Sequence, residues 1–157
     1  MKNLLAIAGP FLLFAYGAHA AECSTNTLQG EYGFTVHGHV LSPDGTTSTA
    51  LIDGVGKATF DGAGNLTQEE STVVNGIKVS GGPANASFST GETGTYIVDA
   101  DCTGMMTLDL GPGGTRAGAF VITRRGQALH GIVTGATING APVLMQTYAD
   151  YEKLDAR

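Results

Sequence analysis

The sequence predicts an all-β chain, a small antiparallel up-and-down β-barrel of about eight to ten strands, with a β-sandwich as the alternative. Three observations carry this expectation. Glycine supplies 24 of 157 residues, about twice its ordinary share, and it punctuates short runs of β-branched and aromatic residues. Turn signals recur at intervals of about 8 to 12 residues, the spacing of a sandwich or barrel. Helical periodicity is absent from residue 21 until the last dozen residues, where 148–154 suit a short terminal helix or a tail. Short connections imply sequential antiparallel pairing, and closing such a sheet removes its exposed edges. An immunoglobulin-like sandwich expects a core tryptophan beside cysteines within strands. This chain has no tryptophan, and its cysteines fall before the first strand and inside a turn.

The first strand, residues 30–40, is the clearest element. Tyr32, Phe34, Val36 and Val40 share one parity, while Glu31, Thr35, His37 and His39 share the other. Side chains two apart lie on the same face of a strand, so one face is apolar and the other polar. Ser42-Pro43-Asp44-Gly45 turns the chain. Residues 48–60 and 66–74 then make a hairpin across Asp61-Gly62-Ala63-Gly64-Asn65. Short strands follow at 77–80 and 86–89, separated by Gly81-Gly82-Pro83. Residues 94–98 and 105–110 flank a turn holding Cys102, and 117–123 and 128–134 form a hairpin across Arg124-Arg125-Gly126-Gln127. Asn139-Gly140 leads into a last strand near 142–148.

Residues 1–20 read as a secretory signal rather than as part of the fold. Lys2 precedes an apolar run from Leu4 to Tyr16, and Ala18-His19-Ala20 presents small residues for cleavage. Residues 21–157 are then one all-β domain, exported to the periplasm or secreted. The formal net charge of −6 becomes one unit more negative without Lys2. That balance excludes the basic footprint needed for nucleic acid. It also argues against a membrane surface once the signal is removed. Cys23 and Cys102 are the only cysteines. In an oxidising compartment such a pair is expected to form a disulfide.

Three phrases occur together: Leu28-Gln29-Gly30-Glu31-Tyr32-Gly33-Phe34, the run from Gly54 to Asn65, and Gly94-Thr95-Tyr96-Ile97-Val98 followed by Asp101-Cys102-Thr103-Gly104. They resemble a group of uncharacterised bacterial exported β domains. The resemblance covers residues 28–110 and implies fold and export, not chemistry. At the level of architecture alone the chain is also similar to allene oxide cyclase and dirigent-type barrels. No catalytic motif of those families can be placed on it residue by residue.

Candidate chemistry starts from His37 and His39, which project from one strand face and titrate near neutral pH. With His130 and either Glu31 or Glu70 they would make a zinc-like set. Two ligands without a local partner motif do not carry that reading, and neither a metal nor a cofactor is expected. As acid or base in catalysis the candidates are His37, His39, Glu31 and Glu70. Glu69 and Glu70 are adjacent, so at most one faces a barrel interior, and a solvated edge is the simpler account of both. Asp53 lies mid-strand, where acids are disfavoured, and suggests a bulge beside Gly54 or a polar interior position. The ligand-binding candidates are Tyr32, Tyr96, Arg116 and His130. Arg116 opens a strand and suits a carboxylate.

Two functions from different classes fit. One is a barrel that binds a small apolar or aromatic molecule, or is purely structural. The other is a cofactor-free isomerase, cyclase or lyase using an interior His or Glu as acid or base. The orientation of the first strand discriminates between them. Aromatics inward and histidines in water is the economical arrangement, because a barrel has no outer layer to cover an outward apolar face. Oligomeric state is not legible in the sequence.

Overall fold

The computed structural model describes residues 22–79, 88, 89 and 91–154. The expected signal segment lies outside these residues, as does most of the strand expected at 86–89. The described chain forms ten strands: β1 (Gln29–Leu41), β2 (Ser48–Asp61), β3 (Asn65–Val74), β4 (Ile77–Lys78), β5 (Glu92–Val98), β6 (Thr103–Asp109), β7 (Gly114–Thr123), β8 (Ala128–Ile138), β9 (Ala141–Val143) and β10 (Met145–Lys153). They follow the order β10-β1-β2-β3-β5-β6-β7-β8, and β8 pairs again with β10. Eight antiparallel strands therefore close into a barrel, with β4 added to β3 and β9 to β8.

The terminal segment corrects the helix-or-tail expectation for residues 148–154. It belongs to β10, which pairs with β1 from Tyr32↔Lys153 to Val40↔Met145 and with β8 from Tyr148↔Ile132 to Glu152↔Ala128. Thr147 and Tyr151 are buried and Tyr148 is exposed, the alternation of a strand with one inward face. A short helix here would leave one edge of each neighbouring strand, β1 and β8, unpaired, at the cost of the backbone hydrogen bonds made there.

Inside, one end of the barrel is a dense aromatic plug. Tyr32 and Phe60 meet edge-on at 5.2 Å between centroids, and Phe60 meets Tyr96 at 5.1 Å. Each such pair adds about 0.5–1.5 kcal/mol to the burial of its area. The phenols are satisfied by backbone. Tyr32 Oη donates to the Gly126 carbonyl at 2.5 Å, and Tyr96 Oη donates to the Leu28 carbonyl at 2.9 Å and accepts from Gly62 N–H at 3.0 Å. A single 3-10 turn at Thr25–Thr27 precedes Leu28, which is fully buried in the same cluster. Cys23 and Cys102 form a disulfide with Cα atoms 4.9 Å apart, and Cys23 N–H also donates to the Ala100 carbonyl at 3.2 Å.

Bulky interior rings need room across the barrel, and glycine supplies it. A Cβ on Gly56 would overlap the Phe34 ring and the Glu69 carbonyl, and one on Gly104 would overlap the Phe120 ring and the Ile97 carbonyl. The glycine richness of the sequence is in part this packing.

Candidate functional site

The interior changes character toward the other end. β3 pairs with β5 only from Asn65↔Thr95 to Gln68↔Glu92, then runs on without it. Ser89 takes over the freed backbone of β3. Its N–H donates to the Glu70 carbonyl at 2.8 Å, and its hydroxyl accepts from Glu70 N–H at 3.2 Å. Beside this opening lies a cavity of about 540 Å³, within the range of small-molecule sites. Val36, Ile52, Val74, Leu110 and Met145 supply apolar wall, while Glu70, Glu92, Arg116 and Thr147 supply polar groups. Val36 and Arg116 also bound a smaller void of about 40 Å³ that continues toward Phe34 and Tyr151.

The polar groups form one network. Arg116 grips Glu70 in a two-pronged contact, Nη1 to Oε2 at 3.0 Å and Nη2 to Oε1 at 3.3 Å. Their side chains are 18% and 3% exposed. Gln68 Nε2 donates to Glu70 Oε2 and to Glu92 Oε2, each at 3.2 Å, and Ser89 Oγ donates to Glu92 Oε1 at 2.5 Å. Two carboxylates and one guanidinium thus share a desolvated space. Burial pushes the Glu92 carboxyl above the usual carboxylate range; the Ser89 hydroxyl opposes that rise and the charge of Glu70 adds to it. Burial works against the Arg116 charge, but the Glu70 carboxylate outweighs it and holds the guanidinium above its ordinary pKa. Burial also pushes the Tyr151 phenol up to about 12. Two buried atoms, Gln68 Oε1 and Thr147 Oγ1, have no hydrogen-bond partner among the described residues.

Of the acid–base and ligand-binding candidates singled out from the sequence, the fold brings Glu70 and Arg116 together in the cavity and places the others elsewhere. The carboxylate that Arg116 binds is Glu70, supplied by the protein itself. Glu70 is no solvated-edge residue, because β3 carries Leu66, Gln68, Glu70 and Thr72 on its buried parity. Tyr32 and Tyr96 sit in the aromatic plug, away from the cavity wall.

His37, His39 and Glu31 lie on the outer face, since the neighbouring parity of β1 holds the buried Tyr32, Phe34 and Val36, and His130 is exposed on β8 beside the buried Leu129. The core takes the aromatics because burying them removes far more apolar area from water than burying imidazoles. Each of the outer groups has a surface partner. His37 Nδ1 lies 2.8 Å from Asp53 Oδ1, His39 Nδ1 lies 2.8 Å from Ser48 Oγ, and His130 Nδ1 lies 2.7 Å from Asp150 Oδ1. Lys57 Nζ donates to Glu31 at 2.9 Å. Asp53 accordingly faces outward, and β2 continues in register through it. No group of three or more His, Cys, Asp or Glu among the described residues is placed to hold a metal ion.

The sequence reading passed over Gln68, Ser89 and Glu92. A signal for two of them was present. Glu92 shares parity with Tyr96, and Gln68 shares it with Leu66, so each polar residue sits on the inward row of its strand.

No family model and no curated protein matches the chain. Among solved structures, it is similar to an S-type phycobiliprotein lyase from Guillardia theta, with a TM-score of 0.51 and 6% identity over 85% of this chain and 92% of that one. It also matches a protein of unknown function from the DUF3598 family of Nostoc punctiforme, with a TM-score of 0.42 and 12% identity over 85% of this chain and 50% of the other. The first of these likenesses is one of fold: the barrel is shared and the sequence is not.

Proposed function

We propose that this chain is an exported barrel that binds a small, largely apolar or aromatic molecule in the cavity ringed by Val36, Ile52, Val74, Leu110 and Met145. The observation that carries the reading is the cavity itself. It sits inside a closed eight-stranded barrel, the size of barrel whose interior can hold one small ligand, and combines apolar walls with a few fixed polar groups. The fold likeness to a phycobiliprotein lyase agrees with such a use. The disulfide agrees with export, since such bonds persist in oxidising compartments.

A neutral fluorescent apolar probe, N-phenylnaphthylamine, tests the reading. Its emission should rise on binding to the wild-type chain, and Val74→Trp, which fills the cavity, should abolish the rise. An unchanged signal in that variant would remove the cavity from consideration.

One observation favours a catalytic version of the same site. Glu92 is a buried carboxyl with a raised pKa, and buried carboxyls shifted in this direction are candidates for acid or base in catalysis. On this reading it replaces the outward histidines as the acid or base of a cofactor-free isomerase, cyclase or lyase. Glu70 is already committed to Arg116. Turnover lost in Glu92→Gln with binding retained is the result that separates catalysis from carriage.

A further inference from the structure

The charges inside the cavity do not balance when both acids are ionised. Arg116 directs both of its hydrogen-bonding nitrogens at Glu70. Glu92 accepts hydrogen bonds only from neutral donors among the described residues, Gln68 Nε2 and Ser89 Oγ, and the Arg116 charge reaches it only as the weakest of the influences on it. Burying a carboxylate without a cation hydrogen-bonded to it is costly, and a cation entering the site offsets part of that cost. A second, independent sign of an absent occupant is Thr147. Its side chain is buried, it lines the same cavity, and its hydroxyl oxygen has no partner among the described residues. A hydroxyl oxygen can accept a hydrogen bond, as a carboxylate does, so the cavity holds acceptors on two separate strands, β5 and β10, that donors of a ligand can meet.

We propose, building on the cavity as a binding site, that its ligand is a small amine: a protonated nitrogen set against the Glu92 carboxylate, carried on an apolar or aromatic body. An anionic ligand would find Arg116 already neutralised and two acids facing it. A neutral alcohol would fill the apolar space but leave the Glu92 charge unanswered. The amine alone satisfies both the walls and the charge.

The test compares three probes of nearly one shape: naphthalenemethylamine, naphthalenemethanol and naphthoate, titrated by calorimetry into the oxidised chain. The amine should bind at least about tenfold more tightly than the alcohol, the range of a hydrogen bond assisted by charge. Naphthoate should bind most weakly. Glu92→Gln should bring the amine down to the affinity of the alcohol.

The pH dependence gives a readout that needs no variant. Amine affinity should fall as pH drops through the raised Glu92 pKa, because the protonated acid no longer attracts a cation. The other charged or titratable groups around this network are Glu70, Arg116 and Tyr151. The guanidinium and phenol keep their charge states across that acid range.

Equal affinity for amine and alcohol, a preference for naphthoate, or an amine preference that persists in Glu92→Gln would each overturn the amine assignment while leaving the cavity a binding site. Failure of all three probes to bind would overturn the cavity reading and the amine with it.

Discussion

Arg116 and Glu70 stand 46 residues apart in the chain and meet across the barrel interior in a bidentate ion pair. Neither strand explains its charged residue alone. An acid on the inward row of β3 is tolerable because β7 delivers a guanidinium to it, and the reverse holds for the arginine.

That dependence predicts an asymmetric mutational pattern. Arg116→Met leaves a buried carboxylate unpaired and should lower stability by about 3–5 kcal/mol. Adding Glu70→Met should restore most of the loss, since a well-packed apolar pair often equals a buried ion pair. Urea unfolding of the two single variants and the double variant measures the coupling. Additive losses would mean that the pair is not a unit.

Interior glycines give a second contrast. Gly56→Ala should cost about 1–3 kcal/mol, because the new methyl group meets the Phe34 ring and the Glu69 carbonyl in a packed core. Gly135 has nothing within 4 Å of the corresponding position. Gly135→Ala should therefore leave stability within about 0.5 kcal/mol. Thermal melts of both proteins check the pair of expectations.

The disulfide fastens the segment before β1 to the turn between β5 and β6. Closing a loop across 79 positions should stabilise the fold by about 4 kcal/mol in the chain-entropy model. Paired Cys23→Ser and Cys102→Ser substitutions should lower the denaturation midpoint accordingly, and reductant should have no further effect on the double variant. A midpoint unmoved by either treatment would mean that the aromatic plug alone holds this end.

Alkaline pH should act on the same end. Burial raises the phenol pKa values of Tyr32, Tyr96 and Tyr151, the last to about 12. For a group whose folded pKa lies above its unfolded one, stability is fully present below the unfolded value and is lost as pH rises toward the folded value. Stability should accordingly hold up to about pH 10, the ordinary phenol value, and decline toward pH 12. Phenolate absorbance from these three residues should appear together with unfolding rather than before it. Their ionisation in a still-folded chain would contradict this burial.

The sequence was most readable where hydrophobicity alternates cleanly. In β1 the row Tyr32, Phe34, Val36 marked the inward face, and turn signals marked most of the hairpins. Architecture followed from the same signals, because short connections and a need to hide edges leave closure as the economical solution. The site was harder to read because β3 breaks the alternation. Its inward row mixes Leu66 with Gln68, Glu70 and Thr72, so polarity argued for the wrong face until the partner on β7 was in view. Glu92 stayed hidden for a related reason: the break around residues 81–83 drew attention to a loop rather than to the strand start beyond it. In β10, Tyr148 and Tyr151 are spaced as on a helix face, yet one points out and the other in.

The position of β10 bears on how the protein is made. Its two neighbours are β1 and β8, so the seam of the barrel joins strands from opposite ends of the described chain. During synthesis β1 must wait, with one edge unpaired, until β10 has left the ribosome. Contacts of such long sequence separation form slowly, so closing the seam is expected to be a late step of folding. For a chain exported as proposed above, that delay would leave the barrel open until Cys23 and Cys102 meet an oxidising compartment, where their bond can form.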